Sequence, residues 1–360
     1  MLFGYPVAAS AENWLHDCLL STIEAVHSRV GEGKRFPSVW SLLLPEAHRD
    51  TLATRHGLKR RLAAYHQSLL AISEEQRSMV FDAMMAQNQL AALFDGDGDC
   101  RRLDELPVEV HAAVRSLLDF AFDLLTELEI RQRQYRQVWA GIPAKMCAFC
   151  GCEYFDAPGA PQEDLDHYLP RSKYPFAAAN LRNLPPIGPK CNSAYKRTID
   201  PLRREDGSRR RAFDPYAAAG LSVSLERTQI DEHGHGPLVA EWVIDFTPAS
   251  EQAQTWDEIF HIRERFKRDV LDVCAFSDWV KEFGAHCRIT SVKAGLRGDD
   301  DLLEALNDYR LYIAEHGFKD RLFLKAAFLE LVLTRCRAGS ERLMRILRDA
   351  AGMDRAVVEL

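Results

Sequence analysis

Three cysteines that frame an Asp-His pair constrain this chain more than any other feature of its sequence. They are Cys147, Cys150 and Cys191, around the pair Asp166 and His167. Closely spaced thiols, a carboxylate and an imidazole are the side chains that bind metal ions and transfer protons. The stretch 141–215 around them is rich in proline and poor in long apolar periods, so it differs from the helical sequence on either side.

The composition is that of an ordinary globular protein. The chain has 360 residues, of which 47% are hydrophobic and 28% are charged, enough for two or three compact units. No apolar run is long enough to cross a membrane, and the N-terminus lacks the basic region of a secretory signal. The odd count of nine cysteines predicts free thiols rather than a disulfide framework. We therefore expect a cytoplasmic protein without membrane contact.

The charge is unevenly distributed along the chain. The net charge is −7, but the window 171–211 contains eleven Lys or Arg residues against three acids. A basic patch on an acidic body attracts phosphates over the screening length of about 8 Å. The alternative interpretation is a solvated charged loop. The candidate nucleic-acid-binding residues are Arg171, Lys173, Lys196, Arg197, Arg203 and Arg204.

Apolar periodicity predicts helices on both sides of the central stretch. The clearest spans 110–138, where apolar residues recur every three or four positions. Further helices are predicted at 11–30, 57–78, 251–287, 300–316, 318–337 and 341–350. Alternating residues at 221–246 predict a β-hairpin whose turn is 233–236. We expect an N-terminal helical domain (1–140), a central module (141–215) and a hairpin with a C-terminal helical domain (216–360), mainly α and α+β overall.

Asp166, His167 and Asn192 suit the hydrolysis of a phosphodiester. This reaction needs a base for water, a cation for the developing charge, and a frame that aligns both with the phosphate. The Asn192 amide oxygen is a suitable ligand for Mg²⁺. Lys196 follows four residues later, on the same face if the segment is helical. The alternative is that the Asp-His pair is structural. Their order within the cysteine frame favours the catalytic interpretation.

The succession CxxCG, LDHYLPRSKYP, NL and CN followed by Lys196 resembles the HNH family of ββα-metal nucleases. It is similar in particular to stand-alone bacterial members of phage-defence systems, such as the HNH component of Septu. The resemblance covers roughly residues 145–200, about a sixth of the chain. It implies an embedded ββα-metal module, and it says nothing about the helical flanks.

Residue by residue, the resemblance implies a catalytic site. His167 would be the general base, and Asp166 and Asn192 would hold a single Mg²⁺ or Mn²⁺ at the scissile phosphate. Asn183 corresponds to the middle Asn of the family, which braces the loop and orients the base. Similar enzymes leave 5′-phosphate ends. An ordinary histidine pKa of about 6.5 leaves the base neutral near neutral pH.

The sequence departs from the family pattern at position 188. The zinc knuckle needs a second cysteine three residues before Cys191, and that residue is Gly188. The motif thiols Cys147, Cys150 and Cys191 leave a tetrahedral Zn²⁺ one ligand short. Cys152, a water molecule or an unrelated histidine are the alternatives for the fourth ligand. A further alternative is that the cysteines are small core residues and bind no zinc.

Three functions follow from these residues. The first is a metal-dependent endonuclease that cuts double-stranded DNA in phage defence, with an ATPase or another protein as partner. The second is an RNA-cleaving or tRNA-cleaving toxin that uses the same site. The third is a non-catalytic zinc-knuckle module that binds nucleic acid within an assembly. The Asp166-His167 pair and Asn192 favour an enzyme over a binding module.

Overall fold

The computed structural model describes residues 1–160, 167–218, 220–231, 238–289 and 296–353, which form two compact units. The first unit comprises Met1–Gly220 and Glu251–Phe260, and the second comprises Leu221–Ser250 and His261–Leu360. The predicted boundary between residues 140 and 141 falls inside the first unit. The N-terminal helices and the cysteine-containing stretch therefore belong to one compact body.

Eight α-helices are described in the first unit. They are α1 Trp14–Gly31, α2 Arg49–Ala53, α3 His56–Leu70, α4 Glu74–Gln87, α5 Leu90–Asp95, α6 Val108–Glu127, α7 Ile130–Gly141 and α8 Glu251–Phe260. The predicted helix 57–78 is wrong as a single element, because Ser73 starts a new helix there. The Ser73 hydroxyl accepts from Gln76 N at 3.2 Å, and Gln76 Oε1 accepts from Ser73 N at 3.0 Å. This capping box satisfies two amides at the start of α4.

The predicted helix 110–138 is also two helices. Helix α6 ends at Glu127, and Glu129 adopts a left-handed conformation with φ 56°. One carbonyl just after α6 is satisfied by a side chain of α7, because Arg133 Nη1 donates to Leu128 O at 3.2 Å. The Arg131 guanidinium donates to the Thr126 hydroxyl at 3.2 Å. The bond from Arg133 therefore satisfies a carbonyl of the kind that a helix end otherwise leaves unpaired.

The core of the first unit is built from α1, α3, α4 and α6, and it extends into an irregular loop. Apolar residues of α6 at intervals of three and four, such as Val110, Val114 and Leu117, are fully buried. Phe176 and Leu181 from the loop lie in the same apolar cluster. The loop that follows His167 is therefore part of the hydrophobic core rather than a surface connection.

The stretch 141–218 has little regular structure in its described part. It contains isolated β-bridges, including Met146 to Tyr154, short 3₁₀ turns and the π-helical turn Cys191–Lys196. His167 lies in irregular backbone, not at the end of a regular strand. The expected ββα arrangement is not seen in residues 141–160 and 167–218.

The second unit contains the expected hairpin and the remaining helices. Strand β1 (Ser222–Ser224) pairs antiparallel with β4 (Asp245–Thr247), and β2 (Gln229–Ile230) pairs antiparallel with β3 (Ala240–Glu241). The predicted turn at 233–236 lies outside the described residues. The helices are α9 Ile262–Phe266, α10 Asp272–Cys274, α11 Val280–Ile289, α12 Asp299–Glu315, α13 Leu322–Arg337 and α14 Glu341–Ala351, with π-helical turns at Lys267–Leu271 and Ala275–Trp279.

Within the second unit α12 packs on α13, α11 packs on α14, and α13 packs on β1. The Lys325 ammonium is buried in this unit, where it pairs with Glu282 and donates to the Tyr309 hydroxyl at 2.9 Å. Helices predominate in the described residues and the two sheets are short. The protein is therefore mainly helical, in agreement with the predicted α+β class. Among the described residues, no helix has the length and apolar character needed to span a bilayer.

His16 makes the stability of the first unit dependent on pH. It lies on α1 with 1% of its surface exposed, and burial lowers its pKa from 6.5 to about 4, an effect partly opposed by Asn88. Because the folded pKa is the lower one, the unfolded chain takes up a proton first as the pH falls. Stability contributed by the neutral side chain is therefore present above pH 6.5 and is lost as the pH falls toward 4.

We predict that His16→Leu reduces the acid sensitivity of folding. At pH 5 the ionisable histidine disfavours the native state by about 2 kcal/mol relative to pH 7.5, and leucine removes this contribution. The measurement is urea unfolding of both proteins at the two pH values. An unchanged difference between the two pH values would show that His16 is not buried in its neutral form.

Candidate functional site

His167 is held in one orientation by a backbone carbonyl. Its Nε2 lies 3.0 Å from Ala178 O, and its ring lies 4.5 Å from the Phe122 ring of α6, measured between centroids. A carbonyl oxygen only accepts hydrogen bonds, so Nε2 carries the proton and Nδ1 has the lone pair. The side chain is therefore presented as a neutral imidazole whose basic nitrogen is Nδ1. Only 7% of the residue surface is exposed.

The surroundings of His167 favour its neutral form. Burial, followed by the positive charges of Arg171, Lys196 and Arg131, lowers the pKa of His167 from 6.5 to about 3, and the hydrogen bond to Ala178 O partly opposes this shift. Three cations around one uncharged imidazole form a positive environment. Such an environment attracts a phosphate, and an incoming anion would raise the pKa of His167 again.

Asn183 braces the loop that follows His167. Its side chain is fully buried. Its Oδ1 accepts from Leu169 N at 2.7 Å, and its Nδ2 donates to Leu169 O at 3.1 Å and to Ala177 O at 3.2 Å. Because Ala177 precedes the residue that holds the His167 ring, the amide fixes both sides of the loop. The buried Asn183 amide therefore holds the two ends of the loop together, and its part in orienting a base stays a prediction.

Further amide side chains hold the same loop, and the sequence interpretation did not identify them. Asn13 Oδ1 accepts from Leu181 N at 2.9 Å, and Gln87 Oε1 accepts from Phe176 N at 3.0 Å. Gln134 Nε2 donates to Leu181 O at 2.8 Å. These residues lie at the start of α1, at the end of α4 and in α7. Because they are far apart in sequence and amides are common, no local signal marks them.

The π-helical turn Cys191–Lys196 carries Asn192, which is half-buried. Lys196 at the end of this turn is 1% exposed, and its Nζ donates to His167 O at 2.7 Å. Lys196 thus ties the turn to the backbone of His167, and its ammonium points into the protein. The expected phosphate contact of Lys196 has no counterpart in this conformation. Asp166 lies outside the described residues.

Most of the predicted basic track is paired with acids. Arg203 donates to Glu105 at 2.9 Å and to Asp99 at 3.0 Å, and its side chain is 14% exposed. Arg204 faces Glu251 and Glu258 at 3.7 and 3.9 Å. Lys173 lies 3.9 Å from the buried Asp200 carboxylate. The remaining pairs in this window are Arg182 with Asp214, Arg209 with Asp99 and Arg210 with Glu258.

The cations that stay accessible lie close to the loop of His167 and to the π-helical turn. Arg171 is 48% exposed and pairs with Asp119 of α6 at 3.1 Å, an exposed contact that contributes little to stability. Arg197 follows the π-helical turn, is exposed, and has no ion pair with any residue that the structure describes. Solvent-accessible positive charge therefore covers a smaller part of the surface than the sequence indicates.

The three motif cysteines meet in a buried cluster. The Sγ atoms of Cys147, Cys150 and Cys191 all lie within 4.8 Å of one another. Gly151 adopts the left-handed conformation that the tight turn after Cys150 requires, with φ 61°. Trp256 of α8 donates from Nε1 to Phe149 O at 2.8 Å, which ties the cysteine turn to that helix.

This cluster fits a metal ion. Gly188 N donates to Cys147 Sγ at 3.3 Å, and Cys152 N donates to Cys150 Sγ at 3.4 Å, the kind of contact that stabilises thiolates. Burial, together with the neighbouring Cys150 thiol, raises the pKa values of Cys147 and Cys191 well above the usual value. A divalent cation is what lets such crowded thiols ionise together. The cluster can bind a metal, and zinc is the ion expected from three thiols.

Comparison of the chain with protein-family models, curated proteins and solved structures finds no match.

We predict that Asn183→Ala destabilises the first unit by about 3 kcal/mol, because Leu169 N and Leu169 O lose the buried amide that pairs with them and Ala177 O loses one of its two donors. Asn183→Asp is the matched variant: it keeps an oxygen for Leu169 N but places a second oxygen against Leu169 O and Ala177 O. We expect it to be at least as destabilising. Urea unfolding at pH 7.5 measures both, and a stable aspartate variant would contradict the assigned contacts.

Proposed function

We propose that this protein is a divalent-metal-dependent endonuclease of the HNH type that hydrolyses phosphodiester bonds, with DNA as its substrate. The observation that supports the proposal most is the presentation of His167. Its Nε2–H donates to Ala178 O, and the ring is surrounded by the charges of Arg171, Lys196 and Arg131. A neutral, oriented imidazole in a positive environment is what a base needs to act on water beside a phosphate.

The protein residues have separate tasks in this proposal. His167 Nδ1 takes a proton from water, the water oxygen attacks phosphorus, and the 3′ oxygen of the preceding nucleotide leaves. The Ala178 carbonyl keeps the proton on Nε2, so that Nδ1 stays the acceptor. Asn183 holds the loop that carries this carbonyl. Lys196 holds the backbone of His167 and orients the base without touching substrate.

The depressed pKa of His167 is consistent with this task. With a pKa of about 3 in the free protein, the imidazole is neutral near neutral pH. The positive charges of Arg171, Lys196 and Arg131 contribute to this low proton affinity. A phosphate beside it offsets these charges, so the base becomes stronger when substrate is bound.

Asp166 and Asn192 are the residues proposed to hold Mg²⁺ or Mn²⁺, which when bound neutralises the charge on the scissile phosphate. Asn192 supplies an amide oxygen from a turn that Lys196 ties to His167. Phage defence, with an ATPase or another protein as partner, is the setting that the resemblance implies. Cleavage of structured RNA by the same site is the alternative that the assay below tests.

We predict that the protein nicks supercoiled plasmid in Mg²⁺ or Mn²⁺, that EDTA abolishes nicking, and that His167→Ala lowers the rate at least a hundredfold because no base remains. His167→Gln is the sharper variant, because its amide still donates to Ala178 O but accepts no proton at neutral pH. It is expected to be as inactive as alanine while unfolding at the wild-type urea concentration.

The matched control is His56→Ala, which removes an exposed histidine at the start of α3 and is expected to leave nicking unchanged. Full activity in His167→Gln would contradict the assigned base. A structured RNA substrate in parallel separates the two nuclease functions. Failure of the wild-type protein to cut either nucleic acid in any metal would favour a binding module.

We predict that accessible and paired arginines differ in their effect on DNA binding. In the His167→Gln background, Arg171→Gln is expected to weaken binding several-fold and to lower the slope of log affinity against log salt by about one, because one phosphate contact is lost. Arg203→Gln is expected to leave affinity and slope unchanged but to lower stability by roughly 1 kcal/mol, because the ion pairs of Arg203 with Asp99 and Glu105 are lost.

Fluorescence anisotropy with a labelled duplex at several salt concentrations measures both affinities. Equal losses in the two variants would show that the acid-paired arginines also contact DNA. An unaffected Arg171→Gln would remove that residue from the substrate surface.

A further inference from the structure

The space beside Gly188, next to the cysteine cluster, is filled by another side chain. Gly188 stands where a fourth cysteine is expected, three residues before Cys191. A Cβ atom at Gly188 would lie 2.7 Å from Glu153 Cδ and 2.8 Å from Glu153 Oε2. Real Cβ atoms do not approach other atoms so closely, so Glu153 occupies the space that a side chain at 188 would enter.

Glu153 is held at this place by the cluster's own backbone. Its carbonyl accepts from Cys147 N at 2.8 Å, which closes the turn of the first two cysteines. Its Oε1 accepts from Lys190 N at 2.7 Å, and its Oε2 accepts from Cys191 N at 3.2 Å. The carboxylate therefore bridges the two segments that supply the three thiols.

The carboxylate also lies about as far from one thiol as two ligand atoms of the same zinc ion lie from each other. Glu153 Oε2 is 3.6 Å from Cys150 Sγ. With Zn–S bonds of about 2.3 Å and Zn–O bonds of about 2.0 Å, a tetrahedral ion separates its sulfur and oxygen ligands by roughly 3.5 Å. In the described part of the cluster, only the three sulfurs lie within 4.8 Å of one another, so Glu153 must rotate its side chain toward Cys147 and Cys191 to become a fourth ligand when a cation enters.

We propose that Glu153 is the fourth ligand of a Cys₃Glu zinc site formed with Cys147, Cys150 and Cys191. The carboxylate takes the place of the missing cysteine side chain, which explains why position 188 is glycine. Three thiolates and a carboxylate on Zn²⁺ have an excess of two negative charges. The N–H groups of Gly188 and Cys152 donate to the sulfurs, and those of Lys190 and Cys191 donate to the carboxylate. Such donors stabilise an anionic site.

The proposal concerns the zinc site alone and does not depend on phosphodiester cleavage. The experiment uses the full-length protein, with bound zinc measured by mass spectrometry and affinity measured by competition with a chelator. The wild-type protein is expected to hold one equivalent of zinc. Glu153→Gln, which keeps the size and one acceptor oxygen, is expected to bind zinc at least tenfold more weakly.

Two further variants make the assignment specific. Cys152→Ser is the matched control for the neighbouring residue and is expected to bind zinc as the wild-type protein does. Gly188→Cys alone places its Cβ against Glu153 and is expected to disturb the site. Gly188→Cys combined with Glu153→Ala removes that conflict and supplies a fourth thiol, so tight zinc binding is expected to return.

Replacement of the bound zinc by Co²⁺ reports the number of thiolate ligands. The sulfur-to-Co²⁺ charge-transfer absorbance is expected to be about one third stronger in the double variant, since four thiolates replace three. Wild-type affinity in Glu153→Gln would show that the carboxylate only caps the turn and would overturn the proposal. Loss of zinc in Cys152→Ser with no loss in Glu153→Gln would also overturn the proposal. A wild-type protein that binds no zinc would do the same.

Discussion

An irregular loop buried in a hydrophobic core must have its backbone polar groups satisfied, because each unpaired one costs about 1–3 kcal/mol. The loop after His167 meets this requirement with amide side chains rather than with a β-sheet. Asn183 pairs with Leu169 and Ala177, while Asn13, Gln87 and Gln134 pair with other parts of the loop. The orientation of His167 depends on this arrangement, since its ring is held by a carbonyl of the same loop.

The helices around this loop form part of the surroundings of His167. Phe122 of α6 packs on the His167 ring, and Asp119 of the same helix pairs with Arg171. Arg131 of α7 is close enough to His167 to lower its pKa. One pair of helices thus sets the packing, the charge and the protonation state of the central side chain. The helical sequence before residue 141 is in this sense part of the site.

The acidic residues of the helical sequence also limit where positive charge is available. Glu105, Asp99 and Glu258 pair with arginines that sequence alone would assign to a phosphate track. The cations left accessible are few, and Arg171 and Arg197 are the clearest among them. A narrow positive region restricts an anionic partner to one part of the surface, whereas a broad basic face would bind nucleic acid without selection.

The sequence alone was sufficient for what depends on local pattern and residue type. Apolar periodicity predicted that the sequence on both sides of the central stretch is helical and that it contains a hairpin, but not where each helix ends: the predicted helix 251–287 is divided into α8 to α11. The close cysteines predicted a thiol cluster, because these signals lie within short stretches of chain. Tertiary structure alone decided the break at Glu129, the burial of Lys196 and the pairing of Arg203. It also placed Glu153 beside Gly188, and it brought the amides of distant helices onto one loop. Each of these depends on which residues meet across long separations, and no local pattern encodes that.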